Sequence, residues 1–473
     1  MSVAGEHAAF LSTLAGLVSP ANVLADPDLM AGYLSEPRGL YHGRALAVVR
    51  PSSTAEVAAV VKACAAARVP IVPQGGNTGL VGGQTPDAGG AAIVLSLRRM
   101  NRVREIDPLT DTMIVEAGVT LAEAQAAAQG ADRLFPLSLA SEGTCTIGGN
   151  LSTNAGGVAV LAYGNARDLA TGLEVVLADG RIVEALSKLR KDNTGYDLKN
   201  LFIGAEGTLG IITAAALKLF PNPRSRATAF VGLADPTKAL AFFRLARAAL
   251  GQTVTSFELM PRIALDYVLA HAPGSRDPLT ARHAWYVLIE AASQVSSGLD
   301  EALTALLADA LERGLIEDAA IAATLEQSKA FWTLRENLSE VQKFEGGSIK
   351  HDVSVPVGAI PEFLAEATVA VERFLPGARV VAFGHMGDGN IHFNVSQPVG
   401  ADKGAFLARW EETNALVHGI VARYSGSFSA EHGIGQMKRE GLARAKDPVA
   451  LDLMRRIKST LDPDGILNPG KVL

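Results

Sequence analysis

Cysteine is nearly absent. Only Cys64 and Cys145 occur in 473 residues, far apart and each in an apolar or glycine-rich setting, which excludes a disulfide framework and leaves two reduced, buried thiols as the expectation. No apolar stretch approaches the roughly 20 residues of a membrane-crossing helix. The opening "MSVAGEHAAFLSTLAGLVSP" has Glu6 and His7 where a secretory leader needs positive charge, so the expectation is a soluble, cytoplasmic protein. Positive charge is not in excess either: the net charge of -6 argues against nucleic acid as a partner. Internal repeats and low-complexity segments are missing. So is a P-loop, although Gly465 to Lys471 fits G-x-x-x-x-G-K: Val472 stands where Ser or Thr is required.

What is present is ordinary globular composition, 48% hydrophobic and 19% charged, over a length that implies two or more domains. The first half alternates strand and helix signals. "ALAVVRP" reads as a strand, then Ser53 and Glu56 form a capping box for a helix running through Ala67. Thr120 and Glu123 repeat that pattern, and "GLEVVLADGRIVEA" reads as a hairpin turning at Asp179-Gly180. Prolines and basic residues in "FPNPRSR", Phe220 to Arg226, mark a boundary. Beyond it, strands and long helices read as an antiparallel sheet covered by helices, and glycine-rich motifs return from about Tyr424.

Three glycine-dense stretches crowd the first half: "VPQGGNTGLVGG" from Val72, "SEGTCTIGGNLSTNAGG" from Ser141 and "GAEGTLGIIT" from Gly204. The first lacks the G-x-G-x-x-G spacing of a dinucleotide-binding turn and leads to a strand rather than a helix. A strand feeding a loop of bare backbone N–H groups is nonetheless a good phosphate cradle. One such stretch is ordinarily a tight turn; three in one domain point to a polar cofactor.

Further on, "VVAFGHMGDGNIHFNV" sets His385 and His392 on the two arms of a hairpin, with Asn394 on the same face as His392. "SAEHGIG" adds Glu431 and His432. Two imidazoles and one carboxylate suit a divalent metal with open positions for substrate, and a metal-bound hydroxyl is a far stronger acid than a free one. The other histidines, such as His7, His42 and His351, are expected to be solvated. On the helix "KAFWTLRENLSEVQKF", Arg335 and Ser339 lie at i and i+4 on one face, and Lys350 opens a later strand. A metallohydrolase would leave the glycine loops unexplained, and a carboxylate-binding protein without catalysis would not need His432.

The stretches "PQGGNTGLVGG", "TIGGNLSTNAGG", "YGNARDLATGLEVVLADG" and "LFIGAEGTLGIIT" resemble the flavin domain of vanillyl-alcohol-oxidase type flavoproteins. "GHMGDGNIHFN", "SAEHGIGQMK" and "LDPDGILNPGKV" are similar to the FAD-linked D-2-hydroxyacid dehydrogenases within that group. The resemblance runs over nearly the whole chain. It implies an α+β fold: an FAD-binding domain over residues 1–222, a ferredoxin-like antiparallel substrate (cap) domain with the metal hairpin over 223–423, and a C-terminal closing segment over 424–473. It also implies that Gly75, Gly76, Asn77, Thr78 and Gly79 cradle the pyrophosphate, that Ser141, Gly148, Gly149, Asn150 and Ser152 line the cofactor, and that Ile211 and Ile212 approach it. Members with covalently attached flavin carry a histidine in the first loop; Gln74-Gly75-Gly76-Asn77 stands there instead, so the FAD is expected to be non-covalent. By the same resemblance His385, His392 and Glu431 hold a divalent metal, zinc first, His432 is the catalytic base, and hydride passes to flavin N5. Arg335, Ser339 and Lys350 resemble the set that holds the distal carboxylate in the branch acting on D-2-hydroxyglutarate, where threonine usually takes the place of Ser339, and Asn394, on the face of His392, is a further candidate for substrate binding. Oxidation of D-2-hydroxyglutarate to 2-oxoglutarate is therefore the expected reaction, with D-lactate, D-malate or glycolate as the alternative. An electron-transfer flavoprotein or a quinone is the expected acceptor, and a homodimer the expected assembly.

Overall fold

Side-chain chemistry sets the helix starts. Thr120 accepts the Glu123 N–H while the Glu123 carboxylate takes the Thr120 N–H at 2.8 Å, the complete capping box of the helix Leu121–Gly130. Ser53 caps the helix Thr54–Ala67 through the Glu56 N–H, but the Glu56 carboxylate reaches one residue further back, to the Ser52 N–H at 2.7 Å. The box expected at Ser53 is thus half formed, the Glu56 carboxylate being spent on the N–H and hydroxyl of Ser52.

The structure, a computed structural model, describes residues 3–473; the first two residues of the expected 1–222 domain lie outside the described residues. The chain divides into two units. The first comprises Met1–Gly157, Gly164–Asn222 and Glu431–Leu473. It contains a four-stranded sheet in the order Val23–Leu24, Ala47–Val49, Ile93–Ser96, Ile71–Gln74, the last three parallel. A second sheet of five antiparallel strands runs Val103–Asp107, Thr112–Glu116, Ile211–Lys218, Ala170–Val176, Ile182–Ala185. Its last two strands are the expected hairpin, with Gly180 at φ 76 in the turn, where L side chains are strained. The core between helix Thr54–Ala67 and the parallel strands is built from Val57, Val61, Cys64, Ile71, Ile93 and Leu95.

The C-terminal stretch does not stand apart from this unit. The Ile71 N–H donates to the Ile466 carbonyl and the Asn468 N–H to the Ile71 carbonyl, both at 2.8 Å, so "GILNPG" runs along the free edge of the parallel sheet. Asp462 holds the turn by accepting the Ile466 and Leu467 N–H groups at 3.0 and 2.8 Å.

The second unit comprises Val158–Tyr163 and Pro223–Ala430. Residues 424–430, expected with the C-terminal segment, belong here because Ser427 pairs with Ser354 through two backbone hydrogen bonds of 2.8 and 2.9 Å. Its seven-stranded antiparallel sheet has the order Asp318–Ile321, Ser225–Leu233, Trp285–Ser293, Val254–Pro261, Arg379–His385, Asn390–Ser396, Ser348–Ser354. Helices Pro236–Leu250, Leu299–Glu312, Ile360–Phe374 and Trp410–Arg423 cover one face over a core that includes Phe242, Phe257, Phe363 and Phe393. Helices Arg262–His271 and Leu325–Val341 cover the other through Tyr286, Phe331, Leu334 and Phe383. Among the described residues no helix is long and apolar enough to cross a membrane.

Candidate active site

In the first unit, strand Ile71–Gln74 ends in the loop Gly75–Gly79, and this loop walls a cleft. Gly148, Gly149, Asn150, Ser152, Ile211, Ile212 and His432 also face the cleft. The backbone N–H groups of Gly75 to Gly79 make no hydrogen bond among the described residues. The buried Asn77 Oδ1 has no partner there either, while its amide nitrogen is held by the carbonyls of Gly32 and Ser35 at 3.1 and 2.9 Å. Five successive unspent donors on a half-buried loop form a nest for an anion such as a pyrophosphate. Glycine is required for the close packing behind it: a Cβ on Gly76 would lie 2.0 Å from the Thr144 carbonyl oxygen. These features fit FAD. Ser141 is the exception among the expected lining residues. It lies outside the cleft wall, and its carbonyl accepts the Thr144 and Cys145 N–H groups in the preceding turn.

His432 stands half-buried in the cleft wall, its Nε2 3.9 Å from the Glu431 carboxylate. Glu431 belongs to this same unit and accepts the Gly157 N–H at 3.1 Å. Sequence reasoning missed what fastens this turn. Glu206, from "GAEGTLG", is buried at φ 52 and accepts the Ile434 and Gly435 N–H groups at 2.7 and 2.8 Å. Burial pushes its carboxyl above the usual range and those two donors pull against it. The signal was available: a lone acid between glycines in a cofactor-type loop.

In the second unit, the register of four strands lays a polar row on one sheet face. Glu258 pairs with His385, His385 with Asn390, Phe383 with His392, and His392 with Asp352; Asn394 pairs with Val381 and Lys350. Residues opposite one another in an antiparallel pair share a face, so the expected alternation through His392 and Asn394 is present. The His385 and His392 rings lie 5.6 Å apart, nearly perpendicular. His385 Nδ1 faces Glu258 Oε1 at 2.8 Å, and His392 Nδ1 lies 3.9 Å from Asp352. The His392 imidazole beside the Asp352 carboxylate is the donor chemistry that a divalent metal takes. Asn394 is buried and its amide donates to Gln342 Oε1 at 3.1 Å.

Arg335, from helix Leu325–Val341, is buried rather than presented on an open face. Its Nε donates to Glu258 Oε2 at 2.8 Å and its guanidinium lies 4.9 Å from the Phe383 ring centre. Glu258 is the second residue that sequence reasoning missed. Complete burial pushes its carboxyl up, but the charges of His385 and Arg335 outweigh burial and hold it down to about 2. Its signal was a carboxylate inside the apolar run "FELM", which demands a cation. Ser339 and Lys350 are adjacent, but through the Ser339 carbonyl, which accepts Lys350 Nζ at 3.1 Å; both residues are exposed. His351 is not solvated: it is buried and its Nδ1 meets the Phe393 carbonyl at 2.8 Å, because its position alternates onto the core face of its strand. Cys64 and Cys145 are buried free thiols, and desolvation pushes Cys64 up to about 12.

Comparison with known proteins gives this geometry its context. Residues 45–186 match the model of an FAD binding domain, and residues 222–472 that of the C-terminal domain of FAD linked oxidases. The chain is 36% identical over 97% of its length to the mitochondrial D-2-hydroxyglutarate dehydrogenase of Arabidopsis thaliana, 80% of which is covered. It is 38% identical to that of Bos taurus, covering 96% of this chain and 82% of the other. The D-2-hydroxyglutarate dehydrogenase of Xanthomonas citri pv. viticola is also 38% identical, with 90% and 89% covered. Among solved structures, p-cresol methylhydroxylase superposes with a TM-score of 0.76 at 18% identity over 99% of this chain and 97% of that one. An alkyldihydroxyacetonephosphate synthase gives 0.73 at 19%, over 98% and 84%. The fold is that of the two-domain vanillyl-alcohol-oxidase type flavoproteins, and with the FAD-domain match, the unspent loop donors and relatives at this identity, the chain belongs to the FAD-linked oxidases as an FAD-dependent oxidoreductase of the D-2-hydroxyglutarate dehydrogenase family.

Proposed function

We propose that this enzyme oxidises D-2-hydroxyglutarate to 2-oxoglutarate, with non-covalent FAD and a divalent metal, zinc first, held by His385, His392 and Glu431. Bound FAD supplies a hydride acceptor at N5. A bound divalent ion supplies Lewis acidity, which lowers the pKa of a coordinated hydroxyl. His432 receives the hydroxyl proton at Nδ1 or Nε2 as general base. Asn394 orients the 2-hydroxycarboxylate head, while Arg335, Lys350 and Ser339 hold the distal carboxylate, a planar guanidinium and a point charge being complementary to it.

The observation that carries the reading is the polar sheet face, where His392 lies opposite Asp352 and Asn394, two residues on, lies opposite Lys350, in a chain whose relatives are named for D-2-hydroxyglutarate. One observation favours a second reading. Arg335 is already engaged by Glu258, which would leave Lys350 as the tail cation and bring D-lactate, D-malate or glycolate into play.

A panel of D-2-hydroxy acids with a dye acceptor decides between them. D-2-hydroxyglutarate should have the highest kcat/KM; a higher value for D-lactate would transfer the assignment to the smaller acids. Acid precipitation should release all flavin into the supernatant, and yellow colour in the pellet would refute non-covalent binding. Chelation should abolish turnover with the flavin spectrum intact, and activity should return with zinc or manganese. The electron acceptor is proposed to be an electron-transfer flavoprotein or a quinone, which reoxidation rates with each would test.

A further inference from the structure

Glu206 is a buried acid held at φ 52, in the left-handed region, a conformation that a residue with a side chain keeps only where its surroundings enforce it. Four hydrogen bonds enforce it, all within the first unit. The Glu206 N–H donates to the Ser152 carbonyl at 2.8 Å, and the Glu206 carbonyl accepts the Asn468 side-chain amide at 2.7 Å. Its carboxylate takes two consecutive donors, the Ile434 N–H on Oε1 at 2.7 Å and the Gly435 N–H on Oε2 at 2.8 Å. These donors lie just past His432, and the carboxylate comes so close that a Cβ on Gly433 would stand 2.8 Å from Oε1. On its far side the same turn is fastened to the segment that continues the glycine loop. The Gln436 N–H donates to the Val81 carbonyl at 2.9 Å, and the Gln436 side-chain amide donates to the carbonyls of Gly82 and Thr85 at 2.9 and 3.0 Å.

We infer that Glu206 is a positioning residue that acts through His432: by clamping the Ile434 and Gly435 N–H groups it holds the proposed base in the cleft wall, on the same frame as the loop proposed to carry FAD. This rests on the proposed role of His432 and deepens it. A general base works only where its nitrogen meets the proton it takes, and a misplacement of about 1 Å costs about a hundredfold in rate. The turn after His432 has glycine at 433 and 435, at φ 80 and 51, where the backbone has the most freedom to lose. Two contacts from adjacent N–H groups to one carboxylate remove that freedom, fixing the direction of the turn as well as its place. Glu206 shares the cleft wall with His432, and each of its oxygens is turned to one of those N–H groups.

Glu206→Gln keeps the shape but sets an NH2 group where the second oxygen stood, so one N–H of the turn loses its acceptor. In the full-length, FAD-saturated protein, hydrogen–deuterium exchange over residues 431–437 should be about 10- to 100-fold faster than in wild type. The limiting rate of flavin reduction by the best acid of the substrate panel should fall about 10- to 100-fold, with the substrate dissociation constant little changed. Pairing with His432→Ala separates positioning from mere loss of stability. Adding Glu206→Gln to His432→Ala should slow reduction no further, whereas an independent defect would slow both backgrounds by the same factor. Equal factors in the two backgrounds overturn the inference. So do unchanged exchange, a wild-type reduction rate in Glu206→Gln, or a folded variant that takes up no FAD; each leaves the proposed base standing. A His432→Ala enzyme that reduces its flavin at the wild-type rate overturns the base, and this inference with it. Should Glu206→Gln not fold, Gly433→Ala presses the same turn away from the carboxylate and goes through the same measurements, with the same outcomes expected.

Discussion

The glycine loop of the first unit, proposed to hold FAD, and the polar sheet face of the second, proposed to hold metal and substrate, are built in opposite ways. The loop takes five consecutive residues, Gly75 to Gly79, and offers backbone donors with no partner among the described residues. The sheet face gathers side chains from four strands and a helix, with Glu258 and His385 127 residues apart, and many of its polar groups are already bonded to one another. A site made of backbone is fixed by local conformation, so it fails when the chain there is reshaped. A site made of side chains depends on partners, so it fails when a charge is left alone.

The largest effect should come from the one proposed catalytic side chain that belongs to neither construction. His432→Ala should slow flavin reduction by about a hundredfold to ten-thousandfold, with flavin content and substrate dissociation constants little changed. Rapid-mixing reduction within a few-fold of wild type would place the base elsewhere.

Next is Arg335→Met. Leaving the Glu258 carboxylate buried with one partner lost should destabilise the protein by about 3–5 kcal/mol. A wild-type melting temperature would show that the side-chain construction tolerates a missing partner. That loss of stability makes Arg335 a poor probe of specificity on its own, since activity on every substrate should fall with the fold.

Gly76→Ala tests the loop. Its Cβ would meet the Thr144 carbonyl oxygen at 2.0 Å and the Cys145 Cα at 2.9 Å, both backbone atoms. The forced shift should cost about 1–3 kcal/mol, read as a roughly ten- to hundredfold loss of FAD affinity. Full flavin occupancy at low micromolar protein would break the contrast between the two surfaces.

Lys350→Met should lower kcat/KM on D-2-hydroxyglutarate about tenfold and leave D-lactate nearly unchanged, the lower end of a charge-assisted contact, because Lys350 is exposed. Equal losses on both acids would mean that Lys350 does not read the tail.

The smallest effect concerns pH. Burial, with Arg439 adding to it against Asp87 and Glu206, holds Lys471 down to about 8 from 10.5. The unfolded chain therefore binds more protons between these values, so unfolding free energy should rise with pH over that window. Lys471→Met should flatten the rise in melting temperature between pH 8 and 10.

The sequence reading went furthest where chemistry is contiguous. The first loop, the hairpin carrying His385 and His392 and the Thr120 capping box all follow from residues close in the chain, because turns, caps and nests are set by neighbouring dihedral angles. It fell short where the partner is distant. Ser141 sits in the right stretch, yet its carbonyl serves a turn. His351 was expected in water, though an alternation of one residue on strand Ser348–Ser354 sends it into the core while Lys350 stays exposed. The strand Val254–Pro261 has no polar alternation to announce it, being buried on both faces.

By itself, then, the sequence determined the kinds of element, the cofactor loop and the inventory of imidazoles, carboxylates and cations, since each is encoded within a few residues. Only the tertiary structure decided which of those charges are already paired. Strand register set Glu258 opposite His385, and helix packing delivered Arg335 to the same carboxylate. A buried charge takes whichever partner the fold brings within about 3 Å, and that choice is made by sheet order and register rather than by spacing along the chain.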